Sequence, residues 1–101
     1  MTALDPFYRP RSIAIVGAGD RPTSTGGAVL QMLQRGGYDG RLFPVNPKGG
    51  EGFGLSFVRS LAELPHPAEL CIIVIRPDSI LEAVADAAAT GHRNILVLPG
   101  G

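Results

Sequence analysis

Six consecutive apolar residues, from Leu70 to Ile75, constrain the fold of this chain more than any other feature. A strand without polar alternation needs cover on both of its faces, which is typical of strands inside a parallel sheet. A similar run lies at Ser12 to Val16, and a further one at Asn94 to Leu98. The three runs predict an α/β domain with helices on both faces of a parallel sheet.

Helical spacing is found between these strands. From Gly26 to Arg35 the apolar residues recur at helical intervals, and Gly36-Gly37 follows, where a helix C-cap favours a left-handed residue. A second helix is predicted from Pro77 to about Thr90, with Ser79 and Glu82 at capping-box spacing. Its predicted buried stripe consists of Leu81, Val84, Ala85 and Ala88.

The middle of the chain predicts a further strand and a long link. Arg41 to Val45 has strand character, and its Pro44, which donates no ladder hydrogen bond, favours an edge position or a side without ladder bonds. Asn46 to Gly54 is predicted as a loop, Leu55 to Phe57 as a short extended piece and Ser60 to Leu64 as one helical turn. We expect a Rossmann-like sheet whose four strands, counted along the chain, have the spatial order third, second, first, fourth.

Ligands of such sheets bind outside the carboxyl ends of the strands, where the strand order changes direction. Because parallel strands end at one edge, the segments that follow them are expected to meet there. These candidate segments are residues 17–26, 46–50, 76–79 and 99–101.

Charge and cysteine content argue against several classes of protein. Nine Lys and Arg balance nine Asp and Glu, so the chain lacks the excess positive charge of a nucleic-acid-binding or membrane-surface domain. The charge is unevenly divided: residues 1–50 carry six basic and three acidic side chains, and residues 51–101 carry three and six. This bias suits either ordinary solvated surface or one local anion site.

Cys71 is the only cysteine and lies inside an apolar run, so it is predicted to be buried and to form no disulfide within the chain. The sequence shows no signal segment and no apolar run near the roughly 20 residues of a membrane span. We therefore expect one domain over residues 1–101, in a reducing cytoplasm.

A glycine-rich turn, Gly17 to Gly27, follows the first strand and precedes a helix. Glycine allows close backbone approach to a phosphate, and the N–H groups of the helix attract negative charge. The turn departs from the dinucleotide pattern G-x-G-x-x-G because Pro22 stands where the third glycine belongs. An ordinary strand-to-helix turn without a ligand is the alternative.

The end of the second strand reads Val45-Asn46-Pro47-Lys48. A nicotinamide dinucleotide domain places an Asp or Glu here to bind the ribose hydroxyls. Asn and Lys suit a phosphate or a phosphorylated ribose better. The alternative is that Lys48 is an exposed loop cation.

Catalytic residues are not evident. His66 lies between prolines and His92 follows the glycine that ends a helix, so both are expected at the surface. Ser24 has no sequence-evident base. Glu82 and Asp86 are four residues apart on a helix, which predicts a like-charge pair on a solvated face.

Three segments together resemble the N-terminal coenzyme A-binding domain of NDP-forming acyl-CoA synthetases, which also occurs in succinyl-CoA synthetase alpha subunits and fused to some protein acetyltransferases. The segments are Leu4 to Ala18, which contains Pro-Arg-Ser and Val-Gly-Ala, then Gly36 to Gly40, and then Phe43 to Lys48, which contains Pro-Val-Asn-Pro-Lys.

The resemblance implies a domain that binds coenzyme A at its carboxyl edge, with a phosphate on the glycine turn and the nucleotide end near Asn46 to Lys48. It also implies that the phosphohistidine and nucleotide-grasp domains of the ligase lie in other parts of a larger protein. The chain departs from the family pattern at Gly19, at Arg76-Pro77 and at Leu98 to Gly101. Gly19 replaces a frequent serine, which removes a hydroxyl that could contact phosphate.

We therefore predict a coenzyme A or acyl-CoA site without catalytic residues or metal, and the other domains or subunits of a synthetase as partners. The alternatives are an NAD(P)-binding Rossmann domain and a regulatory CoA-sensing or interaction module of a protein acetyltransferase. The predicted site residues are Gly17, Ala18, Gly19, Arg21, Ser24, Thr25, Gly26, Asn46, Pro47, Lys48, Arg76 and Pro77.

Overall fold

A computed structural model describes residues 9–21 and 23–99 of the chain. Its strands are β1 (Ser12–Val16), β2 (Arg41–Val45), β3 (Glu51–Gly52), β4 (Leu55–Ser56), β5 (Leu70–Ile73) and β6 (Ile95–Val97). Its helices are α1 (Thr25–Arg35) and α2 (Ile80–Ala89), with 3-10 turns at Leu61–Glu63 and Pro77–Ser79. The predictions made on residues 4–8, Pro22, Gly100 and Gly101 lie outside the described residues.

The main sheet has four parallel strands in the order β2-β1-β5-β6. This confirms the Rossmann-like α/β class, and it places β2 at an edge of the sheet, which Pro44 favoured but the predicted strand order did not. The predicted strand order is wrong, because the third strand of that prediction, β5, pairs with β1 instead of β2. The strand order therefore changes direction between β1 and β5.

Val58 explains why β5 is not beside β2. Its N–H donates to the carbonyl oxygen of Pro44 (3.0 Å), and its own carbonyl oxygen accepts from Asn46 N (2.8 Å). These bonds occupy the outer side of β2, so β5 pairs on the free side of β1. The two most apolar strands then lie together in the centre, where Ile15 and Ile73 are completely buried.

The predicted loop at 46–54 contains a small hairpin instead of continuous irregular chain. Strands β3 and β4 pair antiparallel across Phe53-Gly54, and Gln34 in α1 donates from Nε2 to the carbonyl oxygen of Phe53 (2.9 Å). Only two residue pairs form, which is too short for a periodic pattern to reveal. The predicted helical turn before β5 is confirmed as the 3-10 turn Leu61–Glu63.

The sheet is packed on both faces, as the apolar strands require. On one face Ile15 and Ile72 pack with Leu30 of α1. On the other face Ile73 and Cys71 pack with the alanines of α2. Cys71 is fully buried as predicted, and this burial raises the pKa of its thiol to about 11. The thiol is therefore protonated and unreactive at neutral pH.

The buried face of α2 differs from the predicted stripe. Ala83 and Ala87 are buried and Val84 is half-buried, whereas Leu81 is 86% exposed. The helix has alanine or a larger apolar residue on almost every side, so its apolar periodicity selects no single face. Small side chains at positions 83 and 87 let the helix approach the sheet closely. The predicted residues Ala85 and Ala88 are exposed.

The predicted capping box of α2 is also absent. Ser79 makes no side-chain capping bond, because it ends the 3-10 turn with helical backbone angles (φ −108°, ψ 0°) instead of the extended angles of an N-cap. A capping box is formed by Ser60 and Glu63 at the preceding 3-10 turn.

His66 is exposed as predicted, but the prediction for His92 is wrong: it is only 5% exposed. Its Nε2 accepts a hydrogen bond from Ala68 N (3.0 Å), so the neutral ring carries its hydrogen on Nδ1 and donates to Thr90 Oγ1 (2.9 Å). Burial lowers the pKa of His92. The side chain thus links the end of α2 to the segment before β5.

Among the described helices, none has the length and apolarity needed to span a membrane.

Candidate functional site

The glycine turn lies where the strand order changes direction. Gly17 N and Ala18 N both donate to the carbonyl oxygen of Val45, over 3.0 and 3.2 Å, which fixes the turn against β2. Gly17 has a φ of +90°, and a Cβ built on it collides with the carbonyl oxygen of Val74. Only glycine fits between the two neighbouring strands here.

Ser24 begins α1 as its N-cap. Its Oγ accepts from Gly27 N (3.0 Å) and donates to the carbonyl oxygen of Arg21 (2.9 Å). The hydroxyl is therefore used in capping the helix. A Cβ on Gly26 would collide with the carbonyl oxygen of Gly17, so the turn packs directly on the helix. Besides the capped amide of Gly27, the amides of Thr25 and Gly26 at the start of α1 have no partner inside the helix, and such amides attract an anion.

Asn46 connects the glycine turn with the loop that follows β2. Its Nδ2 donates to the carbonyl oxygen of Ala18 (2.8 Å), and its Oδ1 accepts from Lys48 N (2.9 Å). Both ends of the amide group are engaged with the backbone. Asn46 therefore positions the glycine turn and the Lys48 loop relative to each other, while Lys48 itself is exposed.

Two cavities lie on either side of the glycine turn. The first, of about 470 Å³, is the crevice between the carboxyl ends of β1 and β5, and we call it the crevice. The second, of about 450 Å³, lies between the glycine turn and the loop after β2, and we call it the polar cavity. Ser24 lines both, so the two cavities adjoin at the beginning of α1.

The structure distributes the predicted site residues over these cavities. The crevice is lined by Gly17, Ser24, Thr25, Gly26, Pro47 and Arg76. The polar cavity is lined by Gly19, Arg21, Ser24, Asn46 and Lys48. Ala18 and Pro77 line neither: Ala18 is fully buried beneath the turn, and Pro77 is exposed at the start of a 3-10 turn.

Two acidic residues of the crevice were not among the predicted site residues. Glu82 and Asp86 line its wall from α2, together with Ser79. They are exposed, as expected of a solvated pair, but their face of the helix is the one that borders the crevice. The spacing of residues 79, 82 and 86 places them on one helix face, a signal that could have identified them once α2 was placed beside β5.

The two cavities differ in charge. The polar cavity has Arg21 and Lys48 together with Asp20 and Glu51, and an exposed ion pair joins Arg21 Nε to Asp20 Oδ1 (3.9 Å). The crevice has one cation, Arg76, and the two carboxylates of α2. A group with several negative charges therefore meets less repulsion in the polar cavity.

A family described as "CoA binding domain" matches residues 11–101. The chain belongs to this family. The predicted resemblance to the CoA-binding domain of acyl-CoA synthetases is thus confirmed, and the Rossmann-like sheet is the fold of its structural neighbours.

Two similar proteins are much longer than this CoA-binding domain. The alpha subunit of an ADP-forming acetate–CoA ligase from Pyrococcus furiosus is 27% identical over 103 residues, which cover 98% of the chain and 22% of that subunit. An acetyl-coenzyme A synthetase from Ca. Korarchaeum cryptofilum, solved with phosphate and ADP, matches all of the chain with a TM-score of 0.90 and 28% identity. The chain covers 22% of that protein as well.

A third relative is shorter. The uncharacterized protein YneT of Bacillus subtilis is 37% identical over 80 residues, which cover 79% of the chain and 57% of YneT. This CoA-binding domain therefore spans between a fifth and three fifths of these relatives.

Proposed function

We propose that the domain binds coenzyme A or an acyl-CoA at the carboxyl edge of its sheet, as one part of an NDP-forming acyl-CoA synthetase. The observation that carries this proposal is the glycine turn at the change of strand order, where a Cβ at Gly17 or Gly26 would collide with backbone. At this turn the chain enters α1, whose amides at Thr25 and Gly26 have no partner inside the helix and can bind a phosphate. Family membership supplies the ligand class.

The division of charge supports one orientation of the ligand. The phosphorylated ribose fits the polar cavity, where the charges of Lys48 and Arg21 balance those of the two carboxylates. The pyrophosphate fits the beginning of α1, where the two cavities adjoin. The uncharged pantetheine arm fits the rest of the crevice, which is lined by apolar residues such as Val74 and Ile75 and has one arginine against two carboxylates.

Chemistry on the acyl group belongs, in this proposal, to other domains of the synthetase. In this chain the residues of the site hold and orient the ligand: the amides bind phosphate, Asn46 fixes the two loops and Lys48 supplies charge. Among residues 9–21 and 23–99, no group of three His, Cys, Asp or Glu side chains is arranged to hold a metal ion.

Isothermal titration with coenzyme A and with NADP tests the proposal. Lys48 would suit the phosphorylated ribose of either ligand, so this residue alone does not separate the two Rossmann functions. A direct comparison of the two affinities does. We expect saturable binding of coenzyme A and at least tenfold weaker binding of NADP. Tighter binding of NADP would overturn the proposal. If neither ligand gives a heat of binding and the chain forms a stable complex with an acetyltransferase or other partner, the alternative of a regulatory module is favoured.

A further inference from the structure

Two segments that carry arginines lie far from the proposed coenzyme A site. Arg9-Pro10-Arg11 leads into β1, and Tyr38 to Arg41 leads into β2. Both segments lie at the amino-terminal edge of the sheet, because all four strands run in the same direction. The five residues of β1 separate this edge from the glycine turn by roughly 13–16 Å.

Hydrogen bonds hold the segments of this edge in one arrangement. Tyr38 Oη donates to the carbonyl oxygen of Pro10 (2.8 Å), and Arg41 N donates to the carbonyl oxygen of Arg11 (3.0 Å). Burial, followed by the charges of Asp39 and Glu69, raises the pKa of Tyr38, so its phenol is protonated and acts as the donor. The backbone that carries the arginines is therefore fixed.

The segment before β5 joins the same arrangement. Glu69 Oε1 accepts from Arg11 N (3.0 Å), and Glu69 N donates to Ser12 Oγ (2.9 Å). Gly40 is required at this point, since a Cβ on it would collide with the Tyr38 hydroxyl. Three segments that are distant in sequence thus border one cavity of about 900 Å³.

The cavity has an excess of guanidinium groups. Arg9, Arg11 and Arg41 line it and are exposed, with His66 also on the wall. Two carboxylates, Asp39 and Glu69, face the same space, and that of Glu69 accepts a backbone N–H. Within the part of the chain that the structure describes, no ion pair of 4 Å or less involves these three arginines.

We propose that this amino-terminal edge is a second binding site, for an oxyanion of the phosphate class such as pyrophosphate or the diphosphate of a nucleotide. Arg41 lies in register with Ser12, the residue after Arg11, and the side chains of Arg11 and Arg41 both line the cavity. Two guanidinium groups that reach one cavity can hold adjacent phosphate units, each through paired N–H donors. Arg9 supplies the third positive charge.

Pyrophosphate titration of the ¹⁵N-labelled chain, followed by NMR, tests this site directly. We expect saturable shifts of the amides at residues 9–12, 38–41 and 66–69. Arg11→Gln and Arg41→Gln should each raise the dissociation constant about three- to tenfold, because the charges are partly exposed. Arg41→Lys keeps the charge but loses the planar guanidinium group. Its dissociation constant for pyrophosphate should lie between those of Arg41→Gln and the unaltered chain.

The matched control is Arg59→Gln, which removes an exposed arginine that does not line this cavity and should leave pyrophosphate binding at this edge unchanged. Thermal unfolding of each variant checks that the fold is retained. Shifts of equal size with sodium chloride at the same ionic strength would overturn the proposal. Unchanged binding in the Arg11→Gln/Arg41→Gln double variant, or shifts confined to residues 17–27 and 46–50, would also overturn it, without affecting the coenzyme A proposal.

Discussion

The side-chain amide of Asn46 donates a hydrogen bond to the carbonyl oxygen of Ala18, over 2.8 Å, and this bond joins the loop after β2 to the glycine turn after β1. The same side chain accepts from Lys48 N. Together with the backbone bonds from Gly17 and Ala18 to Val45, this side chain therefore sets the relative position of the two halves of the proposed coenzyme A site.

Replacing this residue should affect both stability and binding. Asn46→Ala leaves the Ala18 carbonyl without its partner, and we expect the free energy of unfolding to fall by about 1–2 kcal/mol. Urea denaturation measures this loss. Asn46→Asp is the matched control: it can still accept from Lys48 N but cannot donate to Ala18. If Asn46→Asp is as stable and binds coenzyme A as well as the unaltered chain, the bond to Ala18 has no positioning role.

Gly17 should be far less tolerant of substitution than a glycine with a similar backbone angle elsewhere. Gly17→Ala puts a Cβ against the Val74 carbonyl at a φ of +90°, and we expect a loss of at least about 3 kcal/mol or failure to fold. Gly37→Ala has a φ of +79° but open space around its Cβ, so only the backbone strain of about 1–2 kcal/mol remains. Similar unfolding midpoints for the two variants would contradict the packing described for the turn.

Stability should fall on mild acidification because of His92. Its pKa is lowered by burial, so below pH 6.5 the unfolded chain binds a proton that the folded chain does not. The free energy of unfolding should thus be highest above pH 6.5 and decrease as pH falls towards the lowered pKa, by at most about 1.4 kcal/mol per pH unit.

Unfolding measured between pH 7.5 and 5.5 checks this expectation. His92→Gln retains an acceptor for Ala68 N but cannot titrate, and it should have a smaller pH dependence. His66→Gln, which removes the exposed histidine, is the matched control. The same pH profile in His92→Gln and in the unaltered chain would show that other groups cause it.

Lys48 should distinguish coenzyme A from dephospho-coenzyme A if it contacts the ribose phosphate. We expect Lys48→Ala to weaken coenzyme A about three- to tenfold and dephospho-coenzyme A much less, because the lysine is exposed and its charge is partly screened. Calorimetric titration of both ligands measures the difference. Arg93→Ala, at an exposed cation outside both cavities, is the control. Equal weakening of both ligands would place Lys48 at the pyrophosphate instead.

The central strands could be predicted because an unbroken apolar run has only one suitable environment. Leu70 to Ile75 and Ser12 to Val16 had to be buried on both faces, and they are. The glycine turn was equally visible, since its position after β1 follows from the same strand. The proposal of a coenzyme A site at the carboxyl edge follows from these two features.

The order of the strands and the faces of α2 depend on contacts between distant residues. Val58 occupies the outer side of β2, and a pattern of local residues cannot show which side it takes. The alanines of α2 offer several equivalent apolar faces, so the sheet selects one. The burial of His92 depends on Ala68, 24 residues away, and no local signal marks it.

The most direct test of the account is the place where coenzyme A binds. In an NMR titration of the ¹⁵N-labelled chain, we predict saturable amide shifts at residues 17–27, 46–50 and 75–79. The absence of saturable shifts, or shifts only outside the carboxyl edge, would contradict the assignment of this edge as the coenzyme A site.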